Sequence, residues 1–197
     1  MSALFDKVRS LYEAGYKTSP LGIRLDPRAL NIDQFTPAAV LIAITEREKP
    51  GMLLLHRPSN MRAHPGQIAF PGGKCDPGET PTESALREAE EELGINPGSV
   101  SVIGHGDTHR TGTGFEITPV IGVVPADLEI RPNPAEVAQW FEAPVNFVLN
   151  PANQVQKTLE WEGVEHAYIE IQWQEHRIWG VTGAIIQNLT RRLNWHG

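Results

Sequence analysis

The segment Arg87 to Glu92 contains the residue types that most directly suggest chemistry. It reads Arg-Glu-Ala-Glu-Glu-Glu and places four carboxylates within six residues, beside a single arginine. On an α-helix, Glu88 and Glu92 would lie one turn apart, with Glu91 next to them. Carboxylates grouped in this way form either a solvated acidic face or a set of ligands for a hard cation such as Mg²⁺. The segment alone favours the solvated face, so the flanking residues are needed to choose between these two interpretations.

The flanking residues predict a well-defined helix that follows a tight loop. Thr80 and Glu83 match a capping box, with proline at the first helical position, and Gly94 is a typical helix stop. Gly73, in the preceding glycine pair, lets the backbone approach closely, so its carbonyl could serve as a further ligand. An apolar stripe beside the acidic face would pack the helix on a core, and it consists of Ala85, Ala89 and Leu93.

Residues 73–95 as a whole resemble the signature of the Nudix hydrolases. That signature is a glycine, five residues, a glutamate, seven residues, and then Arg-Glu-hydrophobe-any-Glu-Glu-any-Gly-hydrophobe. The matching positions are Gly73, Glu79, Arg87, Glu88, Glu91, Glu92, Gly94 and Ile95. The resemblance implies an α+β fold, an α/β/α sandwich around a mixed β-sheet. It also implies Mg²⁺- or Mn²⁺-dependent cleavage of a diphosphate that is linked to another moiety.

The resemblance assigns roles to individual residues of the helix. It implies that Glu88, Glu91 and Glu92 are catalytic and bind the metal, with the Gly73 carbonyl as a possible additional ligand. Arg87 would orient a glutamate, and one glutamate could act as the general base. Metal ions at such a site neutralise the diphosphate and lower the pKa of a bound water.

The segment before the signature is similar to the additional motif of the coenzyme A pyrophosphatases within the Nudix family. Arg62, Gly66 and Phe70 are each separated by three residues, and Phe70 begins the sequence Phe-Pro-Gly-Gly. This chain departs from the motif at two positions. The motif has threonine where this chain has Leu55, and serine or alanine where this chain has Pro58. The similarity implies a small-molecule substrate, coenzyme A or a thioester of it, cleaved to 3′,5′-ADP and a 4′-phosphopantetheine product.

Coenzyme A carries a 3′-phosphate besides its diphosphate, so cationic side chains outside the metal site are expected. Arg62 suits this role because a guanidinium group forms a fork that matches phosphate oxygens. A salt bridge or a solvated loop position is the alternative for this arginine. The predicted substrate-binding residues are Arg62, Gly66, Phe70 and Lys74, with Arg57 and His64 as further candidates.

Two regions outside the signature keep both a functional and a structural interpretation. Glu136 follows a proline-rich turn and could be an additional ligand or base, which requires a suitable geometry. Residues 107–114 are rich in threonine and glycine and are predicted to form an exposed loop. His105 and His109 frame this loop, but they lack metal-ligand spacing.

The remaining pattern combines short apolar runs with a few helices and favours an α+β fold. We predict an N-terminal helix and extended lead-in over residues 1–35, followed by a Nudix domain over 36–197, within a single globular unit. The predicted helices are residues 2–14, ending at Gly15, 80–94, 144–149 and 180–193. The predicted strands are residues 38–44, 52–55, 67–70, 100–103, 117–124, 137–141, 158–161 and 166–173.

Composition limits the classes of partner. The 197 residues have a formal net charge of -7, which disfavours a nucleic-acid partner, including an RNA-decapping role. No apolar run approaches the roughly 20 residues needed to span a bilayer, so we expect no membrane partner. The single cysteine excludes an intrachain disulfide. We therefore expect a cytoplasmic protein, and a homodimer remains open.

Two other functions remain open from the sequence. One is a Nudix pyrophosphatase that acts on ADP-ribose, NADH or another nucleoside diphosphate derivative. The other is a non-catalytic nucleotide sensor, which would typically carry a damaged acidic helix. The helix here keeps every position of the signature, so an enzyme is favoured.

Overall fold

The computed structural model describes residues 2–17, 19, 21–58, 66–161 and 163–195. Its α-helices are α1 (Ala3–Lys17), α2 (Pro81–Leu93), α3 (Val145–Val148) and α4 (Gly180–Leu193). The first strands are β1 (Ile23–Leu25), β2 (Thr36–Thr45), β3 (Gly51–His56), β4 (Ile68–Ala69), β5 (Gly72–Lys74) and β6 (Ser101–His105). The others are β7 (Thr108–Arg110), β8 (Phe115–Val124), β9 (Gln139–Pro144), β10 (Val155–Trp161), β11 (Val164–Trp173) and β12 (His176–Ile178). None of the helices in these ranges is long and apolar enough to cross a bilayer.

Strand β2 is the centre of a mixed nine-stranded sheet. It runs parallel to β8 along its whole length, and it pairs with β3 only where Ile44 faces Met52. Beyond that point β2 and β3 separate, so that β5 pairs with β2 and β4 pairs with β3. Strand β9 lies on the other side of β3. The sheet is therefore open at the end where the Phe-Pro-Gly-Gly segment connects β4 to β5.

Both faces of the sheet are buried, which is why β2 reads as a nearly continuous apolar run. Ala39 and Leu41 belong to one buried cluster together with Ala85 of α2. Ile42 belongs to a second cluster together with Ile185 of α4. Helices thus cover both faces, which confirms the predicted α+β fold and its α/β/α layering.

Three strands between residues 155 and 178 form a separate sheet, β10-β11-β12. Strands β10 and β11 pair antiparallel and contain the predicted strands 158–161 and 166–173. Strand β11 contacts α4, and β12 contacts β4. Thr182 Oγ1 also donates a hydrogen bond to the Ile68 carbonyl at 2.9 Å. The C-terminal part of the chain therefore reaches the open end of the main sheet.

The N-terminal helix differs from its prediction at its C-terminal end. It continues to Lys17 instead of ending at Gly15. A Cβ at Gly15 would lie 1.9 Å from the Arg192 carbonyl oxygen, so this glycine permits close packing on α4. Phe5 and Val8 lie in the same buried cluster as the α4 side of the sheet. We therefore propose that residues 1–35 and 36–197 form one globular domain.

The predicted exposed loop at residues 107–114 is wrong in its first half. Thr108–Arg110 forms β7, which pairs with β1 and β8. Asp107 is fully buried and accepts hydrogen bonds from Asn188 Nδ2 at 2.6 Å and from Arg192 Nη2 at 2.7 Å. Burial alone would raise the pKa of Asp107, but these hydrogen bonds and the Arg192 charge lower it to about 2. This part of the chain therefore lies inside the fold, where Asp107 holds α4 through these hydrogen bonds.

His109 gives the fold a pH dependence that can be measured. Its side chain is 5% exposed, and burial lowers its pKa from 6.5 to about 4. Between these values the unfolded chain binds a proton that the folded chain does not, so stability rises with pH through this window. We therefore expect the free energy of unfolding of the wild-type protein, measured in urea, to rise by about 3 kcal/mol more from pH 4 to pH 7 than that of His109→Gln. Equal pH slopes for the two proteins would contradict this assignment.

Candidate active site

Helix α2 begins and ends at the residues that the sequence predicts. Thr80 accepts a hydrogen bond from the Glu83 amide, and the Glu83 carboxylate accepts one from the Thr80 amide at 2.8 Å. Gly94 adopts the left-handed conformation at φ 69° and caps the C-terminus. Ala89 is fully buried against the sheet. With that face buried, the neighbouring face carrying the glutamates is turned towards the loop before the helix.

Glu92 joins this helix to the loop. Its side chain is 4% exposed, and Oε2 accepts a hydrogen bond from the Gly72 amide at 2.9 Å. Burial raises the pKa of Glu92 to about 8, although the Gly72 hydrogen bond opposes the rise. The charges of Glu88 and Glu136 raise this pKa further, and the charge of Arg57 lowers it. The charges of Glu88, Glu136 and Arg57 therefore all act on the buried carboxylate of Glu92.

Glu88 lies directly against the glycine loop. A Cβ at Gly73 would lie 2.5 Å from the Glu88 carboxylate, so only glycine leaves room for it. Arg87 Nη1 donates a hydrogen bond to Glu88 Oε1 at 2.8 Å. Burial raises the pKa of Glu88, as do the charges of Glu91 and Glu136, while Arg87 lowers it.

Arg87 ties the loop to the helix. Its Nε and Nη2 donate to the two carboxylate oxygens of Glu79 at 2.8 and 3.0 Å, and Nη2 also donates to the Lys74 carbonyl at 3.1 Å. Hydrogen bonds from Arg87 lower the pKa of Glu79 to about 2. Glu91 is half exposed and lies 3.2 Å from Nη1. This arrangement supports an orienting role for Arg87 and a structural one for Glu79.

Glu136 reaches the site because its loop packs on the C-terminus of α2. The amides of Arg131 and Asn133 donate to the carbonyls of Leu93 and Glu92 at 2.8 and 2.9 Å, which satisfies helix carbonyls that have no partner within the helix. Asn133 Nδ2 then donates to Glu136 Oε1 at 3.1 Å. The proline-rich turn was the only sequence signal for this residue, and the pairing with the helix end could not be read from it.

Arg57 is the cation that faces these carboxylates from the main sheet. It directly follows β3, and its charge acts on Glu92. Its Nε is buried and has no hydrogen-bond partner within the described ranges. The side chain can therefore bind an anion that enters between it and the acidic group.

The predicted substrate-binding residues are only partly brought to this site. Arg62 and His64 lie outside the described residues. Gly66 adopts φ 68° and donates its amide to the Arg57 carbonyl at 3.1 Å, so it lies next to the site. Phe70 is 2% exposed, so its side chain packs in the hydrophobic core and has a structural role. The Lys74 ammonium lies 5.7 Å from the centre of the Phe115 ring instead of among the carboxylates.

Comparison with known proteins identifies the family to which the chain belongs. Residues 35–178 match the family model of the NUDIX domain. The chain belongs to the Nudix hydrolase family. It is 41% identical over 159 residues to an uncharacterized Nudix hydrolase, NudL, of Yersinia enterocolitica, covering 80% of this chain and 81% of that protein. It is 38% identical over 168 residues to NudL of Photorhabdus laumondii, covering 85% and 89%. A solved structure of a Nudix hydrolase from M. smegmatis, RenU, has a TM-score of 0.49 at 24% identity, covering 62% of this chain and 79% of that one.

Nudix hydrolases generally use divalent metal ions. Within the described ranges, no three His, Cys, Asp or Glu side chains already form a metal-binding group. Glu88 is held towards Arg87, and Glu92 towards Gly72. The donor set nevertheless fits a hard cation, because the carboxylates of Glu88 and Glu92 lie against the adjacent glycines Gly73 and Gly72, and oxygen ligands suit Mg²⁺.

Gly73→Ala tests the close contact between Gly73 and the Glu88 carboxylate. The new methyl group would displace the Glu88 carboxylate, so we expect metal-dependent turnover to fall by about 100-fold while the melting temperature changes little. The matched control is Gly22→Ala, where a Cβ would meet Asp107 at an ordinary 3.7 Å. Wild-type turnover in Gly73→Ala would contradict the placement of Glu88.

Proposed function

We propose that this Nudix hydrolase cleaves the diphosphate of coenzyme A or its thioesters, giving 3′,5′-ADP and a 4′-phosphopantetheine product, with Mg²⁺ or Mn²⁺. The observation that carries the diphosphate chemistry is the placement of Glu88 against Gly73 and of Glu92 against Gly72, where the charges of Glu136 and Arg57 also act on Glu92. Three acids beside one arginine suit a site in which cations lie between protein and diphosphate. The choice of coenzyme A is supported by the segment that runs from Arg62 to the Phe-Pro-Gly-Gly sequence.

Glu88 and Glu92 would hold the cation, with Glu91 and the Gly73 carbonyl as further ligands. When bound, the metal neutralises the diphosphate and lowers the pKa of the attacking water. Arg87 keeps the loop and the helix in register, since it bonds both Glu79 and Glu88. These contacts place the carboxylates before substrate arrives.

The protein's own residues account for substrate binding and proton transfer. The Nε of Arg57, which has no hydrogen-bond partner among the described residues, suits a diphosphate oxygen, because a guanidinium donates several N–H groups in one plane. Arg62 remains the proposed ligand for a second phosphate. Glu136 is a candidate base for the attacking water, since it acts on both Glu88 and Glu92 but is held from outside the helix by Asn133. The cytoplasmic location and the homodimer remain predictions.

A substrate panel tests the proposed reaction. Coenzyme A, ADP-ribose and NADH are incubated separately with Mg²⁺ or Mn²⁺, and the products are identified by chromatography and mass. We expect the largest kcat/KM for coenzyme A, with 3′,5′-ADP as a product. Rapid cleavage of ADP-ribose or NADH without cleavage of coenzyme A would support the alternative pyrophosphatase. Binding of these ligands without any cleavage would support the sensor.

Glutamate substitutions test the assigned helix face. Glu88→Gln and Glu92→Gln should each lower metal-dependent turnover by about 100-fold or more, because each removes a charge at the centre of the site. Glu90→Gln is the matched control, since Glu90 is exposed on the same helix and should keep wild-type turnover. Near-normal rates for both of the first two variants would refute the site.

A further inference from the structure

Two histidines that the reaction does not use meet where the two sheets touch. His56 Nε2 lies 2.9 Å from His176 Nδ1, so one of these nitrogens carries the shared hydrogen and the other accepts it. His176 is 3% exposed, and its ring lies flat on Phe141 at a centroid distance of 3.7 Å and an angle of 4°. The ring of His176 is therefore held in one orientation.

His56 is the last residue of β3 and lies between two parts of the active site. Side chains alternate along a strand, so His56 lies on the side of the sheet where it contacts Phe141, whereas Arg57 lies on the opposite side, and its charge acts on Glu92. The His56 carbonyl accepts the Ala138 amide at 2.9 Å, two residues after Glu136. The orientation of this strand end therefore affects both Arg57 and the Glu136 segment.

Two backbone hydrogen bonds between described residues continue the pairing of β3 with β4 beyond His56. The Arg57 amide donates to the Gln67 carbonyl at 3.0 Å, and Gly66 donates to the Arg57 carbonyl at 3.1 Å. Both bonds lie within the β3–β4 hairpin, which β9 joins to the main sheet along β3 and which Thr182 bonds at the Ile68 carbonyl. His176 belongs to the other sheet and adds a side-chain connection at the end of β3. The charged group facing the histidine pair is Glu175, whose Oε1 lies 3.6 Å from His176 Nε2.

We propose that His176 is a positioning residue for the diphosphate site. Through its hydrogen bond to His56 it holds the end of β3 in the orientation that directs Arg57 towards Glu92. The inference rests on the proposed function, in which Arg57 binds a diphosphate oxygen. It extends the site to a residue that touches neither the substrate nor a carboxylate of the Nudix helix.

Paired substitutions separate the hydrogen bond from the packing. His176→Phe keeps a ring on Phe141 but loses the nitrogen, whereas His176→Asn keeps a polar atom near the position of Nδ1. We expect His176→Phe to raise KM for the cleaved diphosphate about tenfold and to change kcat less than twofold. His176→Asn should restore most of the wild-type KM. Equal KM values for the two variants, or a fall in kcat alone, would overturn the proposal.

The effect should depend on Arg57. Arg57→Ala removes the guanidinium that His176 is proposed to position, so adding His176→Phe should raise KM no further. A full second tenfold rise would show that the two residues act independently and would overturn the proposal. If His176→Phe does not fold, the same comparison is made from the other side of the bond with His56→Phe and His56→Gln.

A spectroscopic measurement keeps this inference separate from the proposed function. The Arg57 Nε–H resonance in a ¹H–¹⁵N NMR spectrum should shift in His176→Phe and return towards its wild-type position in His176→Asn. This readout needs no turnover. If the wild-type protein cleaves no diphosphate, the proposed function fails, and the NMR result alone decides the positioning role. An unchanged Arg57 resonance in His176→Phe would overturn it.

Discussion

The hydrogen bond between the Gly72 amide and the Glu92 carboxylate is the constraint on which the site depends. It fixes the acidic helix against the glycine loop and keeps a carboxylate where burial raises its pKa to about 8. The nearby charges of Glu88 and Glu136 raise this pKa further, and Arg57 offsets them only in part. Burial and the repulsion between these carboxylates disfavour their charged forms, and a bound cation would favour them. This electrostatic cost is the physical basis of the proposed metal chemistry.

Elements with local signals could be predicted from the sequence. Helix α2 has its capping box at Thr80 and its glycine stop at Gly94, and both lie within a few residues of the helix itself. Helix α4, Gly180–Leu193, has a sustained apolar stripe, and its predicted bounds agree with the structure. The central strand β2 could be predicted because burial on both faces selects apolar residues at successive positions.

Features that depend on distant partners could not be predicted. Asp107 looks like a loop residue until Asn188 and Arg192, more than 80 positions away, supply its hydrogen bonds. Strands β1, β5, β7 and β12 have three residues each, too few to show a periodicity. Glu136 and Arg57 join the site only because a loop packs on the end of α2 and because two strands separate. Neither the packing of this loop nor the separation of the strands can be inferred from the spacing of residues along the chain.

The most direct test of the metal proposal is the binding of Mn²⁺ alone, measured by isothermal titration calorimetry without substrate. The account predicts one or more sites whose affinity falls at least about tenfold when either Glu88 or Glu92 becomes glutamine, because each change removes a charged oxygen ligand. It predicts unchanged affinity when the exposed Glu90 is replaced in the same way. Equal Mn²⁺ affinity in the wild-type protein and all three variants would contradict the claim that this helix holds the metal.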